Sequence, residues 1–211
     1  MPDIKNILAM YMQATPVDRQ EGTVWYNNAH DICKEISNFY MIPLSQVVGV
    51  VSALSPNNKW DRNILDAEQL IRAYCLGYDY PSVCTFNGQK DKAITILECD
   101  IDSSDNICAI LKGNKTIAFF RGILTDGKCD EITVDGHAFN IWRGMYTSLN
   151  EVPAISNKLY KTVSDCYRTA AVEINRIEGT SYSAAQIQAI TWVTHRTVSY
   201  THLRAHETST Y

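Results

Sequence analysis

No run of about eighteen apolar residues occurs in the 211-residue chain, which excludes a membrane-spanning helix. The opening residues Met1-Pro2-Asp3-Ile4-Lys5 lack the basic start and apolar stretch of a secretory signal. A cytoplasmic location is therefore the default. The seven cysteines (33, 75, 84, 99, 108, 129 and 166) contain no Cys-x-x-Cys pair and no Cys-x-x-x-x-His pair. That spacing argues against a zinc knuckle and a cysteine-ligated iron–sulfur cluster. No metal and no cofactor is expected, and the odd count in a cytosolic chain reads as reduced, mostly buried thiols. Basic excess is also missing. The net charge is −4 and the pI about 5.7, which counts against a general nucleic-acid binder but leaves room for a local basic patch. There is no repeat, low-complexity stretch or clear linker.

What remains is ordinary for a globular protein: 45% apolar residues, four Trp and twelve Tyr. The apolar spacing is helical almost throughout, and the fold class is all-α. Ala29, Ile32, Cys33, Ile36, Phe39 and Tyr40 predict one buried face over 28–40. Leu44–Leu54 is rich in valine, so propensity allows a strand. Ser45-Gln46 as a helix start and the absence of neighbouring strands favour a buried helix. Pro56 ends it. Asp61 is placed to cap the next helix, with Ile64, Leu65, Ala67, Leu70, Ile71 and Tyr74 on its face and Gly77 as its stop. Further helices are expected over about 89–97, 106–111, from about 115 to 124, from 136, and over about 157–177 and 183–196. Asp100 to Asp105 reads as an acidic turn. Ser183-Ala184-Ala185-Gln186 matches a capping box.

Two strings carry chemistry. In Leu111-Lys112-Gly113-Asn114-Lys115-Thr116 a tight turn opens a helix, whose unpaired N–H groups attract a phosphate. Lys112 and Asn114 add side-chain donors; an ordinary helix–helix turn is the alternative. Lys115, if sheltered, could act as an amine nucleophile, although a solvated lysine is the commoner fate. In Ile132-Thr133-Val134-Asp135-Gly136-His137, Asp135 stands at a helix start 20 positions after Lys115. It could be a plain N-cap accepting from His137 or Ala138, and His137 could cap, bind a phosphate or sit in the core.

Four blocks in order resemble the helix-hairpin-helix DNA glycosylases, endonuclease III-like enzymes. They are Val50-Val51-Ser52-Ala53-Leu54-Ser55 with Trp60 and Asn63, Asn87 to Ala93, Leu111 to Thr116, and Ile132 to His137. They cover about residues 45–146. The resemblance implies a two-lobed helical bundle with a helix-hairpin-helix motif over 1–196. The central lobe would be about 45–124, and the second would combine the N-terminal helices with about 132–196. It implies a DNA glycosylase-like enzyme acting on a flipped base or its sugar in duplex DNA. Asp135 would be the catalytic carboxylate and Lys115 the nucleophile of a lyase step. Lys112, Gly113, Asn114, Thr116 and His137 would contact DNA, while Ser55, Asn57, Asn58 and Trp60 would form the base pocket or wedge. The chain departs from the family pattern in four places, one of them the missing cluster-bearing cysteine tail. The hairpin is two residues shorter than the usual Leu-Pro-Gly-x-Gly-x-Lys. Gly136 stands where Thr is usual, and Ser55 to Trp60 replaces a glutamine-containing loop.

The ensemble also resembles phage and metagenomic proteins. This implies a bacterial host cell as the site of action and leaves two alternatives, a phage base-modification enzyme on the same scaffold or a non-catalytic DNA- or protein-binding relative. The partner implied is DNA with a damaged or modified base, for a monomeric protein. Residues 199–208 resemble a translated sequencing adapter, so 197–211 is expected to be a non-native tail, and His202 and His206 carry no functional weight.

Overall fold

The computed structural model describes residues 3–99 and 103–208, with side chains through 198. Residues 100–102 of the expected acidic turn lie outside the described residues. Among the described residues there are ten α-helices, a single 3-10 turn at Leu149–Glu151, and no strand. The helices are α1 Ile4–Gln13, α2 Pro16–Tyr40, α3 Leu44–Leu54, α4 Trp60–Leu76, α5 Asn87–Glu98, α6 Ser104–Leu111, α7 Asn114–Leu124, α8 Gly136–Arg143, α9 Asn157–Glu178 and α10 Ala184–Thr208. None of the described helices is long and apolar enough to cross a membrane. The adapter-like string lies in the last part of α10, beyond the described side chains.

The chain divides into two compact units, one of residues 1–26 with 127–211 and one of residues 27–126. The boundary falls inside α2, so residues 27–40 stay with the central segment.

The unit 27–126 is organised around α3. Val47, Val48, Val50, Val51, Ala53 and Leu54 are all fully buried, with α4, α5, α6 and α7 packed around them. A helix apolar on every side can persist only as a core helix. Burial of each Val or Leu is worth roughly 1.5–3 kcal/mol, which outweighs the few tenths by which valine disfavours helix. Gln46 lies on the same helix and donates from Nε2 to the carbonyls of Ile96 (3.0 Å) and Cys99 (3.2 Å), tying α3 to the end of α5.

Three expectations for this unit are corrected. Phe39 does not join the buried face of α2 and is 77% exposed; it stacks edge-on against Tyr40 instead. On α4, Leu65 and Tyr74 are exposed, whereas Asn63 and Asp66 are buried. Asp61 is not the cap of α4: the N-cap is Lys59, two residues earlier, and Asp61 lies in the first turn. Gly77 does stop α4, in the left-handed conformation that glycine adopts most cheaply (φ 67°). The cysteines also depart from expectation, since only Cys33 is buried while Cys75 and Cys84 are exposed and the other four intermediate.

Asp66 is fully buried. It accepts from Arg62 Nε (2.7 Å), the Cys84 N–H (2.8 Å) and Asn58 Nδ2 (3.2 Å). It thereby fixes the loop before α4 and the loop after it to one point. Removing the carboxylate leaves partly buried donors unmatched, and Arg62 is half exposed, so the loss is smaller than for a dry ion pair. Asp66→Ala is expected to destabilise by about 2–3 kcal/mol in urea unfolding. A change below about 0.5 kcal/mol would show that the loops hold without it.

The other unit buries Ile7, Tyr11, Ile132, Val134, Phe139, Ile141, Val163, Tyr167, Ile174, Ile187 and Ile190 in one core, drawn from α1, the segment before α8, α8, α9 and α10. The capping box at α10 is complete: Ser183 Oγ accepts from the Gln186 N–H (3.1 Å), and Gln186 Oε1 accepts from the Ser183 N–H (3.0 Å). A second one opens α2. Thr15 Oγ1 accepts from the Asp18 N–H (3.1 Å), Asp18 Oδ2 accepts from the Thr15 N–H (2.9 Å), and Pro16 follows at the first helical position. Twelve residues of α2 therefore precede the stretch expected from apolar spacing alone.

Candidate functional site

The string 132–137 is not a strand. The Val134 N–H donates to Ile132 O and the Asp135 N–H to Thr133 O, both at 3.0 Å. These are two successive three-residue turns. Tyr160 on α9 clamps them, donating to Ile132 O (2.6 Å) and accepting from the Val134 N–H (3.2 Å). Burial pushes the Tyr160 hydroxyl up to about 12, so it stays a neutral donor. Thr133 Oγ1 is bonded to the Tyr26 hydroxyl at 3.0 Å. The strap delivers Asp135 to the start of α8 in a fixed orientation.

Asp135 is the N-cap of α8, with Oδ1 accepting from the Ala138 N–H at 2.8 Å. Its second oxygen is also held: Trp192 Nε1–H of α10 donates to Oδ2 at 3.1 Å. Trp192 stands edge-on to Trp25 (6.0 Å between centroids) and to His137 (6.2 Å), and Arg196 covers its ring at 4.5 Å. His137, in the first turn of α8, meets His195 of α10 with Nδ1 3.2 Å from Nδ1. His195 is 2% exposed, and Tyr146 stacks on it at 5.0 Å. Carboxylate, indole, two imidazoles, guanidinium and phenol thus sit together in the unit formed by 1–26 and 127–211.

Burial holds the His137 imidazole below its ordinary value; Asp135 opposes this and Arg196 adds to it. His195 is lowered as well, first by burial and then by His137, while a hydrogen bond to the Met145 backbone and the Asp135 charge oppose. The sign for stability follows directly. With folded values below the ordinary 6.5, the unfolded chain binds these protons first as pH falls. The stabilisation is complete above about 6.5 and is lost progressively below it. The urea midpoint is expected to fall between about pH 7.5 and about pH 5.5, and less steeply in His195→Asn. An identical slope in the variant would rule out the pair as the cause.

The remaining predicted residues lie in the unit 27–126. Only two residues, Lys112 and Gly113, link α6 to α7. Lys112 takes φ 63°, which costs a non-glycine residue about 1–2 kcal/mol. Lys92 Nζ donates to Leu111 O at 3.0 Å and so closes the end of α6. This places the Lys92-Ala93 block against the hairpin, with Ala93 buried. Lys112, Gly113 and Asn114 are exposed, and Lys115 is half-buried in the first turn of α7. Thr116 is buried, and its hydroxyl donates to Gly113 O at 2.9 Å, so that hydroxyl serves the turn itself.

Ser55 Oγ donates to Ser52 O at 2.9 Å, so that hydroxyl serves the helix end. Asn57 is exposed in a left-handed conformation (φ 54°). Asn58 turns inward to Asp66. Trp60 is half-buried and meets Phe119 of α7 edge-on at 6.4 Å. Sequence reasoning missed Trp192, His195 and Tyr146. The signal for two of them was a Trp and a His three apart on α10, one turn of the same face.

No curated protein and no solved structure matches the chain. A family model does match, over residues 3–199. The chain belongs to DUF7178, a family of unknown function.

Proposed function

We propose that the protein is a DNA glycosylase-like enzyme that acts on a base flipped out of duplex DNA, with Asp135 as the carboxylate that stabilises positive charge developing on the sugar. One observation carries this reading. An N-cap needs only one carboxylate oxygen, yet Asp135 is gripped at both, by the Ala138 N–H and by an indole 57 positions away. A carboxylate fixed before substrate arrives has no reorganisation left to undergo when charge develops beside it. In this reading α6 and α7 are a shortened helix-hairpin-helix whose exposed Lys112, Gly113 and Asn114 hold a DNA phosphate. Asn57 and Trp60 face the extruded base or the gap that it leaves. The partner is DNA with a damaged or modified base, bound by a monomer without a cofactor, in a bacterial host cell if the gene is phage-borne.

Lys115 would attack the sugar and form an imine in a lyase step. Borohydride trapping on an abasic duplex tests this. An adduct in the wild type that is lost in Lys115→Ala supports the lyase step, and no adduct removes it. A second reading is favoured by Lys115 being only half-buried, because a lysine nucleophile is usually sheltered in a pocket. Here the enzyme releases or modifies the base through Asp135 alone, as a base-modification enzyme would. Activity lost in Asp135→Asn and retained in Lys115→Ala selects it.

A further inference from the structure

His137 on α8 and His195 on α10 face each other Nδ1 to Nδ1 at 3.2 Å, with 5.3 Å between ring centroids. A bond between two imidazole nitrogens needs one N–H and one lone pair. The neutral pair can supply both, whichever ring donates. One added proton leaves the bond intact. The charged ring then carries N–H at both nitrogens and can only donate, the neutral ring accepts, and the charge strengthens the bond. A second proton removes the last lone pair. Two N–H groups would then point at one another between two positive rings, and the pair must part.

We propose that the pair is an acid-sensitive latch between α8 and α10, which holds with no added proton or with one, and opens with the second to release Tyr146. It goes beyond the DNA-enzyme reading and does not rest on it, because it concerns protons bound by the folded chain and no substrate. The surroundings favour this sequence of events. His137 is half-exposed and can turn to water. His195 is 2% exposed, and Tyr146 lies flat on it, with 5.0 Å between centroids and 6° between planes. Lifting Tyr146, itself 47% exposed, would let water reach a charged His195. The chain around Tyr146 permits this. The Met145 N–H donates to Asn140 O at 2.9 Å, and Thr147 is fastened to the Asn140 side chain by bonds of 2.7 and 2.9 Å. The Tyr146 ring can therefore turn away while the backbone on either side of it stays anchored. Asp135, the cap of α8, favours protonation of both rings, and Arg196 of α10 opposes it at His137. Arg143, at the end of α8, is held over Phe139. From α9, Tyr167 donates to Ala138 O (3.2 Å), and from α2, Asp18 accepts from Thr197 of α10 (3.5 Å). From α1, Asn6 donates to Trp142 O (2.8 Å) and Tyr11 to Glu178 of α9 (2.6 Å).

The test is an acid titration of the full chain labelled at histidine, from about pH 8 to about pH 4, followed by magnetic resonance of the ring carbons and nitrogens. The two rings are assigned with His137→Gln and His195→Gln. Both should respond to two steps at least about one pH unit apart. The upfield shift that the stacked Tyr146 imposes on the His195 ring should survive the first step and vanish in the second. The rest of the spectrum should stay that of the folded chain. In His137→Gln, a change at a half-exposed position, His195 should titrate in one step. Tyr146→Leu should lose the upfield shift and keep the two steps. One step per ring, at midpoints that do not move when the other histidine is replaced, overturns the proposal. So does an upfield shift that outlasts the second step, or a second step in which the whole spectrum collapses.

Discussion

Asp135→Asn is expected to lower the rate of base release by about 10²–10³-fold, the usual consequence of removing one preorganised electrostatic group from an active site. Its effect on the fold should be small. The asparagine oxygen can still accept from the Ala138 N–H and cap α8, as aspartate does now. What changes is the second contact, where an amide N–H would face the Trp192 N–H that at present donates to Oδ2. Trp192 is half-exposed and can turn its donor to water, so the stability cost is about 1 kcal/mol. Asp135→Ala loses the cap as well, at about 1 kcal/mol more. Single-turnover base release and urea unfolding on the same samples separate the two effects. A rate loss matched by a comparable loss of stability would mean that Asp135 is only a cap.

Gly22→Ala is expected to be the most destabilising single-methyl change in the unit formed by 1–26 and 127–211. Helix propensity argues the other way, since alanine is favoured over glycine inside a helix by about 1 kcal/mol. Packing decides the sign. A Cβ on Gly22 would lie 2.4 Å from Ile190 Cα and 2.6 Å from Ile190 N. These are backbone atoms of α10, which cannot swing aside as the end of a side chain can. Either α2 and α10 must separate or one of them must bend, and forcing extra volume into a packed contact costs about 1–3 kcal/mol. The same displacement would move the helix that carries Trp192 and His195, so activity should fall together with stability. Thermal unfolding of Gly22→Ala beside Gly88→Ala, where a Cβ meets nothing, gives the comparison. Stabilisation by Gly22→Ala would show that the two helices are not in close contact there.

Local rules made much of the helical pattern legible. Gly77 stops α4, and Ser183 with Gln186 caps α10, because both act through neighbours in the chain. The first half of α2 was equally local, in Thr15-Pro16-Val17-Asp18, but it carries few apolar residues, and a search for apolar spacing passes over it. The exposure of Phe39 and Leu65 and the burial of Asp66 were not legible. They depend on which side of a helix meets a neighbour, and on loop donors such as the Cys84 N–H that sequence spacing does not reveal. The candidate site divides in the same way. Asp135 as a cap follows from its place before a helix. Its second bond, to Trp192, and the pairing of His137 with His195 join residues 57 and 58 positions apart, beyond the reach of any local pattern.

The most direct measurement is the release of free base, followed by mass spectrometry, when the full-length chain is incubated with duplexes carrying a panel of damaged and modified bases. The account predicts release of at least one base by the wild type, reduced about 10²-fold or more in a folded Asp135→Asn. No release from any duplex, or equal release by the variant, would contradict it.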